Sequence, residues 1–371
     1  MTDPEKRATG HRSLLKHLDE RGLLDDPWRR VWDAVPRDLF IPPRIWRQRS
    51  TRCEPVRTDA AWWELVHSDE PVVIQVDDGQ EDGPGVATSS NSMPSMVARM
   101  LGLLQVEDGH RVLEIGTASG FVAALLSERL GEERVFSVEL DPGLVERGRH
   151  NLAAAGYAPT VVQADGEKGW PAAAPYDRII ATCALRRVPF ALVGQLRPGG
   201  VLVAPLVREF GSGALVQLTV QPDGTAVGPF RGGASYMPMR SHRAQAGAPI
   251  DESTGRCTST GLDPAHAVTL PFTLYAGARI PGLSMVSHRE DDGVRVWLDD
   301  GQGSGATLGS GEPVWLYGPR DLWTEVERVH AEFRDLGSPG TEEFGLTVTP
   351  DGQGVWLHTP ATVVEPLRLH P

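Results

Sequence analysis

The chain has 371 residues, more than one compact domain usually takes, so two domains are expected. Hydrophobic residues make up 40% and charged residues 23%, which is enough apolar side chain for a substantial core. A net charge of −13 argues against a nucleic-acid or anionic-membrane surface, because both need positive potential.

The first hundred residues carry helical stretches and loops rich in Pro, Trp and charge. The opening segment MTDPEKRATGHRS is too polar for a signal peptide. No apolar run reaches the roughly 18 residues a membrane span needs, so a soluble cytoplasmic protein is expected. Residues 101–206 alternate short apolar runs with helical patterns. His110 to Ile115 reads as a buried strand, followed by a helix whose apolar stripe is Val122, Leu125, Leu126 and Leu130, ending near Gly131. Arg134 to Leu140 is a second strand, and Asp141-Pro142 opens a helix. Thr160 to Gln163, Asp177 to Ala181 and Val201 to Ala204 are the third, fourth and fifth strands. Such alternation implies a doubly wound, mainly parallel α/β sheet, a Rossmann-like fold.

Ala214 to Val220 reads as a further strand. The small and polar stretch after it, residues 241–265, reads as a linker. Residues 266–371 form a small α+β unit. Val294, Val296 and Leu298 alternate in a strand, and residues 314–317 and 354–358 read as two more. Leu322, Trp323, Val326, Val329, Phe333 and Leu336 make a helical stripe that is core in the plain reading. The functional readings of this unit are recognition of a peptide or its leader, raising its effective concentration at the catalytic site, and dimerisation. The expected organisation is therefore 1–100 contributing to an acceptor site, 101–240 as catalytic core, 241–265 as linker and 266–371 as the added domain.

In an open parallel sheet, ligands sit beyond the carboxyl ends of the strands. Three polar signals fall at three successive strand ends. The segment Glu114-Ile115-Gly116-Thr117-Ala118-Ser119-Gly120 follows the first, Glu139 closes the second, and Asp165-Gly166 closes the third. An acidic side chain at the second strand end suits ribose hydroxyls, and Asp165 suits an exocyclic amine. The glycine spacing departs from G-x-G-x-x-G, whose second glycine admits a pyrophosphate. A ligand with an amino-acid end, a nucleoside end and no phosphate fits better, and S-adenosylmethionine is one. The plain alternative is that the glycines only tighten a turn and Glu139 is solvated.

The segments VLEIGTASGFVAALL, FSVELDPGLVERGRHNLAAAGY, VVQADGEKGWPAAAPYDRIIATCA and QLRPGGVLVAPL resemble the protein-L-isoaspartate O-methyltransferases in order and spacing. Val35-Pro36-Arg37-Asp38-Leu39-Phe40-Ile41-Pro42 resembles that family's V-P-R-x-x-F-V-P segment. Ser92-Met93-Pro94-Ser95-Met96-Val97-Ala98 resembles its I-S-x-P-x-M-V-A segment. The resemblance implies a class I methyltransferase that uses S-adenosylmethionine and releases S-adenosylhomocysteine. It implies Glu114, Gly116, Thr117, Ala118, Ser119, Gly120, Glu139, Leu140, Asp165, Gly166 and Thr182 at the cofactor. It also implies Ser92 as the catalytic donor, with Ser90, Asn91, Met93 and Pro94 at the substrate. The partner it implies is a peptide or protein bearing aspartate or isoaspartate.

Two departures bear on which carboxylate is chosen. Ala87-Thr88-Ser89-Ser90-Asn91-Ser92 stands where the family usually has Q-T-I-S, and Asp77 to Gly83 is a longer acidic loop. The chain also continues more than a hundred residues past the usual family end. Such extensions resemble relatives acting in ribosomal-peptide biosynthesis on lanthipeptides and crosslinked graspetides, where an aspartyl methyl ester leads through aspartimide to isoaspartate. Repair of isoaspartate in damaged proteins is the alternative activity, and a non-catalytic cofactor-binding scaffold is the alternative of another class.

Other residues read plainly. Three dispersed cysteines, Cys53, Cys183 and Cys257, make no disulfide framework, and Cys183 reads as buried packing. The histidines lack metal-ligand spacing, so no metal is expected. Trp62-Trp63 reads as core or a helix face at least as readily as a peptide contact. The Asp77–Asp82 run reads as a solvated loop, or functionally as a flap favouring a cationic peptide.

Overall fold

The computed structural model describes residues 4–49, 52–80, 82–211 and 213–367. Glu81, in the acidic run, lies outside the described residues. The chain divides into two units. The first holds Met1–Cys183, Pro189–Ala204 and Thr219–Gly224; the second holds Ala184–Val188, Pro205–Leu218 and Thr225–Pro371. No helix among the described residues is long and apolar enough to cross a membrane.

The first unit is built on a parallel sheet in the order 196–204, Tyr176–Ala181, Val112–Ile115, Val135–Glu139, Thr160–Gln163. Every residue of Val112–Ile115 and Tyr176–Ala181 is buried, as expected of strands covered on both faces. Val112–Ile115 lies between the strand that follows it in sequence and one that comes much later. The order therefore reverses at this strand, which opens a crevice at its carboxyl end. The helix Phe121–Leu130 buries eight of its residues, and Gly131 ends it at a φ of 88°. Asp141 caps Pro142–Ala154: its Oδ1 accepts from the Gly143 and Leu144 N–H groups at 2.9 and 3.1 Å.

Residues 4–104 of this unit contain more β structure than their sequence suggests. Besides the helices Pro4–Glu20, Asp26–Ala34, Asp59–Val66 and Pro94–Leu104, four strands form an antiparallel sheet. Its order is Cys53–Pro55, Trp46–Gln48, Val72–Val76, Ala87–Asn91. Two of these strands have only three residues and a third reads ATSSN, so these three show no apolar alternation; only Val72–Val76, VVIQV, is an apolar run. Trp62 and Trp63 are core residues with rings edge-on at 4.9 Å, and Trp62 Nε1 donates to the Pro42 carbonyl at 2.9 Å.

The second unit carries strands in the order Gly352–Leu357, Phe344–Thr349, Ala226–Gly233 and residues 214–218, the first three paired antiparallel. Phe344–Thr349 pairs with Ala226–Gly233 across more than a hundred residues of chain, Val348 facing Ala226 and Gly345 facing Pro229. A separate five-stranded antiparallel sheet runs in the order Arg256–Thr258, Val314–Tyr317, Gly305–Gly309, Gly293–Asp299, Ser284–Glu290. The expected boundaries at 240 and 265 differ from this arrangement. Arg256–Thr258, inside the stretch read as a linker, pairs with Val314–Tyr317, and residues 205–218 and 225–240 pack with the C-terminal elements. Polar, small side chains mark an edge strand as readily as a linker, and only the partner strand distinguishes them. The helix Leu322–Asp335 buries Leu322, Trp323, Val326, Val329 and Phe333, while Leu336 beyond its end is 48% exposed. Phe333 meets Phe272 and Tyr275 at 5.6 and 5.8 Å between ring centroids.

Gly228 packs so closely that a Cβ there would lie 1.8 Å from the Gln217 carbonyl oxygen, a backbone atom of the neighbouring strand. Gly228→Ala should therefore destabilise the chain by about 1–3 kcal/mol, the usual cost of overpacking. Urea denaturation followed by tryptophan fluorescence measures this, and an unchanged midpoint would contradict the close approach.

Candidate active site

The Gly116–Gly120 turn lies at the carboxyl end of the central parallel strand. Gly116 and Gly120 have φ of 103° and 87°, values that favour glycine. A Cβ on Gly120 would lie 3.0 Å from Leu152 Cγ and 3.1 Å from the Gly148 carbonyl oxygen. On the facing helix, a Cβ on Gly148 would lie 2.9 Å from Thr117 Cγ2. These two glycines set the turn down onto Pro142–Ala154. Ala118, at a φ of 46°, is held there by its N–H, which donates to Glu139 Oε2 at 3.0 Å.

Glu139 is the organising carboxylate of this turn. Its Oε1 accepts from the Leu140 and Asp141 N–H groups at 2.9 and 3.1 Å. Together with the Ala118 bond this occupies three of the carboxylate's roughly four acceptor positions. Burial raises its pKa, while these three N–H groups act the other way. Leu140 beside it is 42% exposed, unusual for leucine, and offers an apolar surface at the same strand end. Asp165 follows the third strand. Its Oδ1 accepts from the Glu167 N–H at 3.0 Å, and its Oδ2 lies 3.7 Å from Lys168 Nζ. Gly166 closes that turn, its carbonyl accepting from the Gly169 N–H at 3.3 Å. A firmly held carboxylate, an exposed leucine and a glycine turn at neighbouring strand ends fit a nucleoside with an amino-acid tail.

Three residues expected at the cofactor, Glu114, Thr117 and Thr182, have their polar groups committed to protein. Glu114 is 1% exposed, and Ser137 Oγ donates to its Oε2 at 2.6 Å; Thr117 Oγ1 shares a 2.6 Å hydrogen bond with Ser137. Burial pushes the Glu114 carboxyl up to about 8. Thr182 Oγ1 donates to the carbonyls of Ile115 at 3.1 Å and Gly116 at 2.7 Å, tying the fourth strand end to the first. Cys183, next to it, has its thiol pushed up to about 12 by burial and by the carboxylates of Glu139 and Glu114. Such a thiol stays protonated at neutral pH and is a poor nucleophile.

The residues expected at the acceptor lie where Ala87–Asn91 runs into Pro94–Leu104. Ser90 and Asn91 end the strand, Ser92 and Met93 connect, and Pro94 opens the helix. Ser92 and Met93 are part-buried and Asn91 is 3% exposed. What fixes this connection is Arg37, 1% exposed. Its Nε donates to Asn91 Oδ1 at 2.7 Å, and Nη1 donates to the carbonyls of Val66 and Ser68 at 3.0 and 3.2 Å. Nη2 donates to the carbonyls of Glu70, Asn91 and Ser92 at 2.9, 3.2 and 3.0 Å. Burial pulls its pKa down to about 9, with Asp69 and Glu70 acting the other way. Asn91 then donates through Nδ2 to Ser119 Oγ at 3.0 Å. Ser119 is also held from Pro142–Ala154, since Asn151 Nδ2 donates to its carbonyl at 3.0 Å.

Sequence reasoning placed Arg37 only inside a matching segment and gave it no role. The one available signal was a strongly charged residue within an apolar stretch, Val35 to Ile41. Asp77, in the acidic run, turns inward: its carboxylate accepts from the Gly85 and Val86 N–H groups, both at 2.8 Å.

A doubly wound sheet with a glycine turn and a held carboxylate at adjacent strand ends defines a class I methyltransferase fold. The family model described as protein-L-isoaspartate(D-aspartate) O-methyltransferase matches residues 58–244. A protein-L-isoaspartate O-methyltransferase of Ignicoccus hospitalis is 38% identical over 221 residues, covering 58% of this chain and 90% of that protein. One of Thermococcus onnurineus is also 38% identical, over 228 residues, covering 61% and 90%. A solved structure of a protein-L-isoaspartate O-methyltransferase superposes with a TM-score of 0.54 at 18% identity, covering 94% of this chain and all of that one. The chain belongs to the protein-L-isoaspartate O-methyltransferase family of carboxyl methyltransferases, which use S-adenosylmethionine.

Two outcomes test this geometry. Arg37→Gln strands several buried carbonyls, each costing about 1–3 kcal/mol, so unfolding should be easier by more than about 3 kcal/mol. Arg37→Lys should restore little of this, because an ammonium cannot reproduce the planar fork. Recovery of the full urea midpoint by lysine would contradict the account. For Glu114, the folded chain keeps its proton to about pH 8, whereas the unfolded chain releases it near 4.5. The unfolded state then binds fewer protons between those values, so stability falls as pH rises through that window. Glu114→Gln should remove this share of the slope. Parallel wild-type and variant profiles of the urea midpoint against pH would show that Glu114 ionises normally.

Proposed function

We propose that this chain transfers a methyl group from S-adenosylmethionine to an aspartyl side-chain carboxylate of a ribosomally made, modified peptide. The single observation that carries the methyl-transfer reading is the Arg37–Asn91–Ser119 connection. It ties the Ser92 segment to the glycine turn through hydrogen bonds of 2.7 and 3.0 Å. Acceptor and donor regions held this firmly favour a displacement that needs alignment more than acid–base help.

A carboxyl group has a reference pKa of about 4 and is already a nucleophile at neutral pH. The donor's sulfonium supplies the methyl group and leaves as a neutral thioether. Glu139 would accept from a ribose hydroxyl at its remaining acceptor position, Asp165 from the base amine, and the Gly116–Gly120 turn would admit the amino-acid tail. Ser92 would donate to the acceptor carboxylate and orient the attacking oxygen. Once the ester exists, the next residue's backbone nitrogen displaces methanol and closes a succinimide, and water reopens the ring to aspartate or isoaspartate. Neither step needs a further protein group.

The choice of a dedicated peptide is supported by the departures at residues 87–92 and by the 127 residues beyond the family match, 245–371. The second reading is repair of L-isoaspartyl residues in damaged proteins. It is favoured by the names of the relatives, and by a fold match in which a protein-L-isoaspartate O-methyltransferase spans 94% of this chain.

Incubation with S-adenosylmethionine and either a crosslinked precursor peptide or a short isoaspartyl peptide separates the two. The dedicated reading expects one methyl gained and then methanol lost on the precursor alone, by mass spectrometry. Turnover of the isoaspartyl peptide alone favours repair, and turnover of neither overturns methyl transfer. Glu139→Ala should weaken S-adenosylmethionine binding by about 10- to 100-fold, as loss of hydrogen bonds to a charged group implies. Ser92→Ala should lower kcat by about 10- to 100-fold with little change in that binding, on the same scale. Unchanged calorimetric affinity in the first variant, or unchanged kcat in the second, would contradict these roles.

A further inference from the structure

The second unit contains a cavity of about 520 Å³ that the methyl-transfer site does not use. Leu283, Leu346 and Val355 contribute apolar wall, Arg208 contributes a guanidinium, and Glu209 and Glu365 also line it. Among the described residues Arg208 has no carboxylate within ion-pair distance, and its one hydrogen bond is from Nη2 to the Leu274 carbonyl at 3.2 Å. Its Nε is buried with no partner. The acid beside it in sequence, Glu209, is engaged by Arg186 at 2.5 Å.

This guanidinium has a made place. It lies over the Phe230 ring at 5.9 Å from the centroid. On the helix Leu270–Arg279, a Cβ on Gly277 would come within 2.7 Å of Nη2, so glycine there leaves the room the guanidinium occupies. Burial pulls the Arg208 pKa down to about 10, which still leaves it charged at neutral pH. A charge taken out of water without a counter-ion is costly, and a planar guanidinium is best satisfied by a carboxylate gripped through two parallel bonds. Apolar walls beside the cation suit a carboxylate carried on an apolar body rather than a bare anion.

We propose that the Arg208 cavity is a second binding site, which takes a carboxylate of a peptide flanked by apolar side chains. The peptide as its source rests on the proposed function. The recognition itself requires no methyl donor, so the two can fail separately. Arg208 would grip the carboxylate through its guanidinium N–H groups, while the neighbouring residues of the peptide bury against Leu283 and Val355. Occupation would hold a long acidic peptide to the chain at a place other than Ser92.

The test is an NMR titration of the whole chain, without S-adenosylmethionine, using N-acetyl-Leu-Glu-Leu-amide and its Gln counterpart. N-acetyl-Leu-Leu with a free carboxyl end serves as a third probe. Saturable binding of the Glu peptide, at least 10-fold tighter than the Gln peptide, is the expected result. Arg208→Met should abolish that preference. Gly277→Ala, a substitution that favours helix, should weaken the Glu peptide by crowding the guanidinium. Tighter binding of the free-acid probe would assign the site to a chain terminus rather than an acidic side chain. No saturable binding to the wild type, equal binding of Glu and Gln peptides, or a preference that survives in both folded variants would overturn the proposal.

Discussion

The first unit depends on one buried cation. Arg37 gathers three parts of the chain that are remote in sequence: the end of the helix Asp59–Val66, the turn to Val72–Val76, and the Asn91-Ser92 connection. A guanidinium can do this because it is flat and carries five N–H donors in a fixed fork. Its charge is spread over carbonyl dipoles and the Asn91 amide rather than spent on one carboxylate. Desolvation is nevertheless large enough to pull its pKa to about 9. Such a residue tolerates no close substitute, which is a physical reason for arginine at this position.

From Arg37 the order passes outward. Asn91 accepts from the cation and donates to Ser119, so the Asn91-Ser92 connection and the glycine turn share one amide. Asn151 holds the far side of Ser119, and Glu139 holds Ala118. The turn is thus fixed from the N-terminal region, from the helix Pro142–Ala154 and from the second parallel strand. Its positive-φ backbone persists because three separate elements determine it. Asp69 adds to this frame, its Oδ1 accepting from the Ser95 N–H at 2.8 Å at the start of Pro94–Leu104.

The two carboxyl groups nearest the turn show how environment divides like residues. Glu139 is held by three backbone N–H groups, which stabilise its charged form against burial. Glu114 has one hydroxyl donor and complete burial, which keeps it protonated well above the usual carboxylate range. Both were expected at the cofactor from their strand-end positions. The hydrogen bonds tie Glu139 to the backbone of the glycine turn and of the strand end, and make Glu114 part of the Ser137–Thr117 core network.

The sequence alone determined the alternating α/β pattern and individual strands such as Thr160–Gln163, Ala214–Val220 and Val314–Tyr317, because apolar alternation and flanking turns are local properties. It also determined the three strand ends at which Gly116–Gly120, Glu139 and Asp165 lie, since each follows a readable strand. Only the tertiary structure decided what depends on a partner far along the chain. The small N-terminal sheet, the pairing of Phe344–Thr349 with Ala226–Gly233 and the use of Arg256–Thr258 as an edge strand are of this kind. The role of Arg37 is another: nothing in Pro36-Arg37-Asp38 distinguishes a surface cation from a buried one until six acceptors close around it. Periodicity records which face a residue turns to the core, but hydrogen-bond satisfaction is a property of the assembled three-dimensional neighbourhood.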